Sequence, residues 1–443
     1  MFTNQSNSNY TAKIIRCGEV SPIDGADSIA TIIVDYRTVV VAKTTDPKET
    51  RIYFPPESQL SHKLLSKLNE YRVDNNKDNL NENVVSKGGF FEENRRVKVI
   101  KLRGVKSNGY TIPAVDFAKV YGILVEDIEA NIGEYFDTVN GELVCNKYIV
   151  PVKQSGSQKT GKQKPKLTRL VEGQFQFHSD TANLRRSMTE LNKDDNIVIH
   201  NKLHGTSWIV SNVLVKRQLS ILDRIAAFFG VSVQTTEYDH LAASRKVVKN
   251  RYMEDPKNTS DGFYGFDLWG YIKDEVKTKV PKGYSIYGEA VGYLPNSAQM
   301  IQKGFDYGCK PGEYKLSVYR VTLTNADGLV TELNNFQVER FCANYGFDMS
   351  QKFYEGTVEG FLALHRTDDV LDWKVAFVSK LEELYNEKKC HLCTFHKVPE
   401  EGVVVRVLNR PTFTAYKCKS QAFLFMEKEN NNNNVIDIES LIE

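Results

Sequence analysis

A lysine side chain becomes a nucleophile only after losing its proton, so a catalytic lysine must be desolvated or set among other cations. Lys202 stands in a segment suited to that task. It follows the short apolar run Asn196-Ile197-Val198-Ile199-His200, which reads as a strand. It precedes a glycine by three positions in Lys202-Leu203-His204-Gly205-Thr206-Ser207. Taken alone, K-x-x-G is a pattern that chance supplies in most long chains. Four further groups follow it in order. Tyr287-Gly288-Glu289-Ala290-Val291-Gly292 ends a strand on a glutamate between glycines, and Ser317-Val318-Tyr319-Arg320-Val321 is a strand carrying an aromatic ring. Glu400-Glu401-Gly402 leads into the β-branched run Val403 to Val405, and Tyr416-Lys417-Cys418-Lys419 sets two lysines on one face of a strand, because strand side chains alternate. An amine nucleophile, two carboxylates able to hold a hard divalent cation and two lysines able to offset negative charge form a set for group transfer at phosphorus.

The series resembles the covalent nucleotidyltransferase superfamily of ligases and capping enzymes. Its five ordered motifs are K-x-x-G, a Y-G-E type motif, an aromatic strand, an E-G-hydrophobic motif and K-x-K. The resemblance implies that Lys202 takes AMP from ATP through a lysyl-AMP bond. It implies that Lys417 and Lys419 contact the α-phosphate, that Glu401 holds the divalent cation (Mg2+ or Mn2+), and that Glu289 binds the ribose hydroxyls and metal waters. Tyr319 matches the aromatic that stacks on adenine, and Leu203, His204 and Gly205 complete the nucleotide-binding loop. Ser244-Arg245 resembles a further element, an arginine meeting nucleotide phosphate or ribose; its plain alternative is an arginine on a solvated helix. Gln299, Gln302 and Lys303 lie in the stretch between Glu289 and Tyr319 and are candidates for substrate contact.

The order of segments separates the branches of the superfamily. Ligases of DNA and capping enzymes resemble one another in carrying an OB domain after K-x-K. Here 24 residues follow Lys419 (443 − 419), many of them Asn, Asp or Glu, too few for a barrel. The candidate barrel precedes Lys202 instead, an arrangement that resembles the RNA ligases with an N-terminal OB domain, sometimes called the fifth RNA-ligase family. Gly88-Gly89-Phe90-Phe91, the basic stretch 96–107 and Phe177-His178-Ser179-Asp180-Thr181 agree with that family. So does the histidine of K-L-H-G, where ligases of DNA usually have aspartate. Two departures are His204, which removes a carboxylate near the metal, and Asn201, where some RNA ligases have an adenine-reading glutamate. The resemblance implies an enzyme that joins 3′-OH and 5′-phosphate RNA ends, at nicks in an RNA duplex or an RNA/DNA hybrid, as a monomer acting in RNA repair. The alternatives are a capping-type GTP transferase and a catalytically inactive nucleic-acid-binding relative.

The elements that must position these residues are α+β. The segment 12–113 has short β-branched runs (Ile14, Ile29, Ile32, Val34, Val39, Val41) split by turn signals such as Ile23-Asp24-Gly25, as in a small OB-like β-barrel. Residues 97–105 alternate apolar and basic, which reads as a half-buried strand showing Lys98, Lys101 or Arg103 to a nucleic-acid backbone or simply to water. The expected division is an OB-like domain over 10–150, a basic linker over 151–170, a ligase-type nucleotidyltransferase domain over 171–427 and a polar tail over 428–443. Apolar spacing predicts helices at 219–229, 340–364 and 368–385, the last two within a helical insert at about 334–388. The linker carries Lys153, Lys159, Lys162, Lys164, Lys166 and Arg169 with no acid.

With a net charge of +2 over 443 residues, affinity for nucleic acid must come from local patches. No apolar run is long enough for a membrane span and Met1 to Val20 lacks the apolar stretch of a signal peptide, so an intracellular setting is expected. Seven scattered cysteines do not make a disulfide framework. Cys390-His391-x-Cys393-x-x-His396 offers zinc ligands at a cramped spacing, against which stands ordinary packing beside Glu401.

Overall fold

The computed structural model describes residues 1–5, 9–73, 80–83, 88–149, 169–249, 264–367, 372–385, 388–395 and 397–432. Most of the basic linker (151–168), the tail beyond 432 and His396 lie outside the described residues. No helix among the described residues is long and apolar enough to cross a membrane.

Two antiparallel-rich sheets carry the motif residues. The first has five strands in the order Ala182–Asn183, Thr414–Lys419, Gly402–Val407, Asn196–Asn201, Lys352–Thr357. Asn196–Asn201 is antiparallel to both of its neighbours, and Ile197, Val198 and Ile199 are fully buried. The apolar run ahead of Lys202 is therefore a sheet centre, which fixes where the chain leaves it. The second sheet runs Val248–Lys249, Thr236–Ala243, Thr206–Lys216, Tyr284–Gly292, Tyr314–Thr324, Val330–Glu332, with Asp348–Met349 beside Tyr314–Thr324. Helices Leu268–Val276 and Asn335–Tyr345 cover that sheet through Leu268, Trp269, Ile272, Val338 and Phe341. Val358–Leu364 and Trp373–Tyr385 cover the first sheet through Phe361, Leu362, Phe377 and Leu381.

The region expected as a helical insert is thus only partly helical. Asp348–Met349 and Lys352–Thr357 interrupt it and complete one edge of each sheet. The helix expected at 219–229 runs Ile221–Phe228, opened by a capping box between Ser220 and Asp223.

The N-terminal part differs more from expectation. Among its described residues the strands form several short sheets, not one closed barrel: a four-stranded sheet (Tyr110–Pro113, Thr50–Phe54, Ala12–Arg16, Tyr135–Phe136), two three-stranded ones (Ser21–Pro22, Ile29–Val34, Arg37–Ala42; and Phe2–Thr3, Thr138–Val139, Glu142–Leu143) and two pairs. The physical reason is the helices His62–Lys67, Ala114–Tyr121 and Val125–Glu129, whose Leu64, Leu65, Phe117 and Ile128 fill the core against Ile14, Ile52 and Phe54. The basic segment is a strand over Val99–Leu102 that turns at Arg103 and Gly104, both at positive φ, into Val105–Asn108. It exposes Lys101 and Arg103, while Lys98 pairs with Glu92 at 2.7 Å.

The hairpin between Ile29–Val34 and Arg37–Ala42 reaches the second region. Its two-residue turn holds Asp35 and Tyr36 at φ 47° and 61°, a turn usually built with glycine. Tertiary contacts hold it: Asp35 pairs with Lys13 at 2.6 Å, and Tyr36 packs against the core of the five-stranded sheet.

Candidate active site

Lys202 begins a four-residue crossover from the five-stranded to the seven-stranded sheet. Its N–H donates to the Gly402 carbonyl at 3.0 Å, tying it to the start of the neighbouring strand. The glycine of K-x-x-G has a steric cause. A Cβ on Gly205 would lie 2.2 Å from the Ala290 carbonyl oxygen and 2.7 Å from Val291 Cγ1, well inside contact distance. The Gly205 N–H donates to Glu289 Oε1 at 3.1 Å, and Gln302 Nε2 donates to the Gly205 carbonyl at 2.8 Å. Gln302 therefore supports the loop from behind. Gln299 and Lys303 do not line the cavity described below.

His204 acts in packing. Its N–H donates to Tyr307 Oη at 2.6 Å, and its ring meets Phe305 and Phe423 edge-on, each at 4.8 Å between centroids.

Lys202 Nζ lies 2.8 Å from Glu401 Oε1, and the Glu401 side chain is wholly buried. Lys419 Nζ is 3.7 Å from the same oxygen, 3.1 Å from Glu427 Oε1 on the helix Gln421–Asn432, and 5.0 Å above the Phe423 ring. Glu401 Oε2 is buried with no hydrogen-bond partner; His204 Nδ1 stands 4.0 Å from it. Lys417 and Lys419 share one strand face while Tyr416 and Cys418 fill the core behind, as their spacing predicts.

Glu289 comes from the seven-stranded sheet, directly between Ser207 and Ser317 in register. Its second oxygen accepts from Ser207 Oγ at 3.2 Å, so the carboxylate is locked in orientation. One strand further, Tyr319 Oη meets His178 Nδ1 at 3.1 Å, with the rings edge-to-face at 5.5 Å. Arg245 pairs with Asp180. Burial pushes the Asp180 carboxyl up, but Arg245, with help from Lys417 and His178, outweighs it and holds the group below its ordinary value.

These residues surround one cavity of about 580 Å³. Lys202, Leu203, Arg245, Glu289, Tyr319, Lys417 and Lys419 line it; His204, Gly205 and Glu401 stand behind its wall. The residues that sequence reasoning passed over fall into two groups. Arg406 and Phe413 line the cavity, with the Arg406 guanidinium 4.8 Å over the Phe413 ring. A lone arginine inside Val403–Val407 was a readable signal, since burial makes such a charge costly. The N-terminal region adds Tyr10, Arg37, Glu57 and Lys147 to the lining, from positions that no local pattern distinguishes. Arg37 donates to the Lys419 carbonyl at 2.8 Å and pairs with Glu382 at 3.4 Å.

No protein-family model matches the chain, and no curated protein matches it. Solved structures do. A mutant Naegleria gruberi RNA ligase with ATP and Mn superposes with a TM-score of 0.57 at 15% identity, covering 95% of this chain and 99% of that one. A mutant of the same ligase with AMP and Mn gives 0.55 at 15% identity, with the same coverage. That ligase with PPi gives 0.52 at 16% identity, again covering 95% and 99%. The chain has the fold of these RNA ligases along nearly its whole length.

Proposed function

We propose, taking the RNA-ligase fold as premise, that this chain is an ATP-dependent RNA ligase working through a lysyl-AMP on Lys202. The observation that carries the reading is the position of Lys202 Nζ. It sits on the cavity wall, 2.8 Å from a fully buried carboxylate and beside the cation of Lys419.

In the proposed first step Lys202 Nζ, having shed its proton, attacks the α-phosphorus of ATP. The N–P bond forms, the bond to the bridging oxygen of the β-phosphate breaks, and pyrophosphate leaves. Lys417 and Lys419, on one face of their strand, offset the charge that gathers on the phosphoryl oxygens. Tyr319 stacks on adenine. Glu289 spends one oxygen on the Gly205 N–H and the other on Ser207; a carboxylate has about four lone-pair sites, which leaves capacity for ribose hydroxyls. The AMP then passes to a 5′-phosphate end, and a 3′-hydroxyl attacks that end and expels AMP. The residues fit a divalent cation: Glu401 presents a buried oxygen without a hydrogen-bond partner, and Glu289 would reach the ion through water. Such an ion supplies charge neutralisation along the triphosphate. Residues 10–150 are proposed as an RNA-facing domain and 171–427 as the nucleotidyltransferase domain, with nicked RNA duplex as substrate.

The test is intact mass after incubation with ATP and Mn2+ or Mg2+, for the wild type and Lys202→Ala. One AMP added to the wild type alone is expected. No adduct, on protein first shown to carry no AMP, would sink the reading. Labelling by GTP in preference to ATP would replace it with the capping-type reaction.

A further inference from the structure

Two features stand outside the ligase reading. Cys390, His391 and Cys393 form no zinc site among the described residues, where no group of three or more His, Cys, Asp or Glu converges to hold a metal. The His391 ring is engaged at both nitrogens, by Glu400 Oε1 at 2.5 Å and Gln351 Oε1 at 2.6 Å. The other feature is the helix Ile221–Phe228, at the tip of the hairpin between Thr206–Lys216 and Thr236–Ala243.

This helix is turned inside out. A surface helix normally buries its apolar stripe and shows its polar face. At about 100° per residue, Ile221, Leu222, Ile225, Phe228 and the capping Phe229 fall within an arc of about 120°. All five are exposed, between 49% and 85%, while Asp223 and Ala226 on the other side are half-buried. Polar ties hold the face outward. Ser220 and Asp223 form the capping box, and Arg217 pairs with Asp223 at 3.0 Å. The Arg217 N–H and Nε donate to the carbonyls of Thr235 and Gln234 at 2.8 and 2.9 Å, closing the neck of the loop. An outward apolar patch held in this way marks a contact surface.

The surrounding charge points to the partner. Asp223 is the only acid in 216–235 and is held by Arg217, which leaves the exposed Lys216 and Arg224 as the net charge of the segment. Glu237 and Asp239 on the returning strand are paired with Arg169 at 2.5 and 2.7 Å. The Lys216 N–H donates to the Arg169 carbonyl at 2.7 Å. The chain therefore arrives at this tip from residues 153–166, which carry five lysines and no acid. Lys166, three residues before Arg169, lies within about 11 Å of it by chain length alone.

Apolar side chains beside a cationic rim fit a bilayer surface carrying anionic phospholipid, which takes the first at the boundary of headgroups and acyl chains and the second at its phosphates. A second copy of the chain fits less well. An eight-residue helix is about 12 Å long and about 10 Å across, a footprint far below the roughly 800 Å² per partner of a standard interface. RNA would meet the cations, but its bases give Ile221, Leu222 and Ile225 nothing to stack on.

We propose that the helix Ile221–Phe228 docks this protein on anionic bilayers, its apolar face lying at the headgroup boundary with Lys216 and Arg224 toward the phosphates. Thr206, at the other end of the strand that leads to the helix, lines the cavity. Ten residues of strand, about 34 Å, lie between them, so docking takes place far from the cavity.

The inference stands apart from the ligase reading, since vesicle binding needs no nucleotide. The full chain is floated with vesicles of phosphatidylcholine alone, or mixed with phosphatidylserine at roughly seven to three, in about 0.15 M salt. Wild type is expected to float with the mixed vesicles and to bind pure phosphatidylcholine at least about tenfold more weakly. Phe228→Ser with Phe229→Ser is expected to weaken binding to the mixed vesicles on the order of a hundredfold, about tenfold for each ring. Its unfolding midpoint should stay that of wild type, because the two exposed rings meet each other edge-on at 5.4 Å and belong to no buried cluster. Phe228→Trp is expected to shift its added emission to the blue on the mixed vesicles. The proposal is overturned if wild type does not float, if the double variant floats as wild type does, or if the emission of the tryptophan variant does not move. A dimer in light scattering that the double variant dissolves would give the face to a second copy. Affinity for nicked RNA lost in the double variant, without flotation of wild type, would give it to RNA; either result overturns the proposal. Absence of an AMP adduct would count against the ligase reading, while flotation still decides this one.

Discussion

The Glu401 side chain is wholly buried, with the amines of Lys202 and Lys419 at 2.8 and 3.7 Å from one of its oxygens. Replacing it with glutamine keeps the shape and removes the charge. Glu401→Gln is expected to slow AMP-adduct formation on the order of a hundredfold, the scale of losing one preorganised electrostatic contact; a rate within twofold of wild type in a quenched time course would exclude a direct role. Gly205→Ala tests space instead of charge. Its Cβ would press on the Ala290 carbonyl and Val291, so about 1–3 kcal/mol of stability should be lost, measured by urea unfolding, together with the adduct. His200, on the cavity wall, offers a pH test. Burial first, then Lys352, lowers its pKa from 6.5 to about 4. The folded state therefore binds this proton less readily than the unfolded state. Its stabilising effect is complete above pH 6.5 and is lost as pH falls toward 4, on the order of 3 kcal/mol in all. His200→Gln should flatten unfolding free energy across that window; an unchanged slope would refute the assignment. At this scale the sequence was legible in which residues gather: Lys202, Glu289, Lys417 and Lys419 line one cavity, with Gly205 and Glu401 behind its wall. Tyr10 and Glu57 were not, because only tertiary folding brings them to the cavity.

At the scale of elements, the apolar run ahead of Lys202 could be read because a central strand must be apolar on both faces. The strand Lys352–Thr357 could not. It is a sheet edge with no fully buried residue, and the apolar spacing of the flanking helices ran across it. That the described residues form no closed barrel has a related reason. Short β-branched runs mark strands but not which strands pair, and the helix Ala114–Tyr121 occupies the core that closure would need. The hairpin turn at Asp35 and Tyr36 delivers Arg37 to the carbonyl of Lys419. Arg37 is largely buried, and burial first, then Arg185, lowers its pKa to about 10. Arg37→Ala should cost about 2 kcal/mol, through an unpaired carbonyl and a weakened partner for Glu382, and should slow the adduct more than it weakens ATP binding. Equal changes in both, in a rate-versus-ATP titration, would show that Arg37 does not position Lys419.

For the whole molecule the near-neutral balance means that any affinity for RNA would have to be local. The hairpin of Val99–Leu102 and Val105–Asn108 sets Lys101 directly across from Lys106, with Arg103 at its tip. Lys101→Glu with Arg103→Glu is expected to lower affinity for nicked RNA duplex about tenfold at low salt, to reduce the salt slope by roughly two, and to leave AMP-adduct formation unchanged. Filter binding across a salt series tests this, and an unaltered slope would remove the hairpin from the RNA surface.

The loop from Lys202 to Gly205 also has a mechanical meaning. Lys417, Lys419 and Glu401 belong to the five-stranded sheet or its margin, Glu289 and Tyr319 to the seven-stranded one, and Lys202 to Gly205 directly joins the two. The cavity is therefore the gape of a pair of jaws with the Lys202 amine at their hinge. On the ligase reading proposed above, a change in the angle between the sheets would alter the grip on a bound nucleotide from both sides at once.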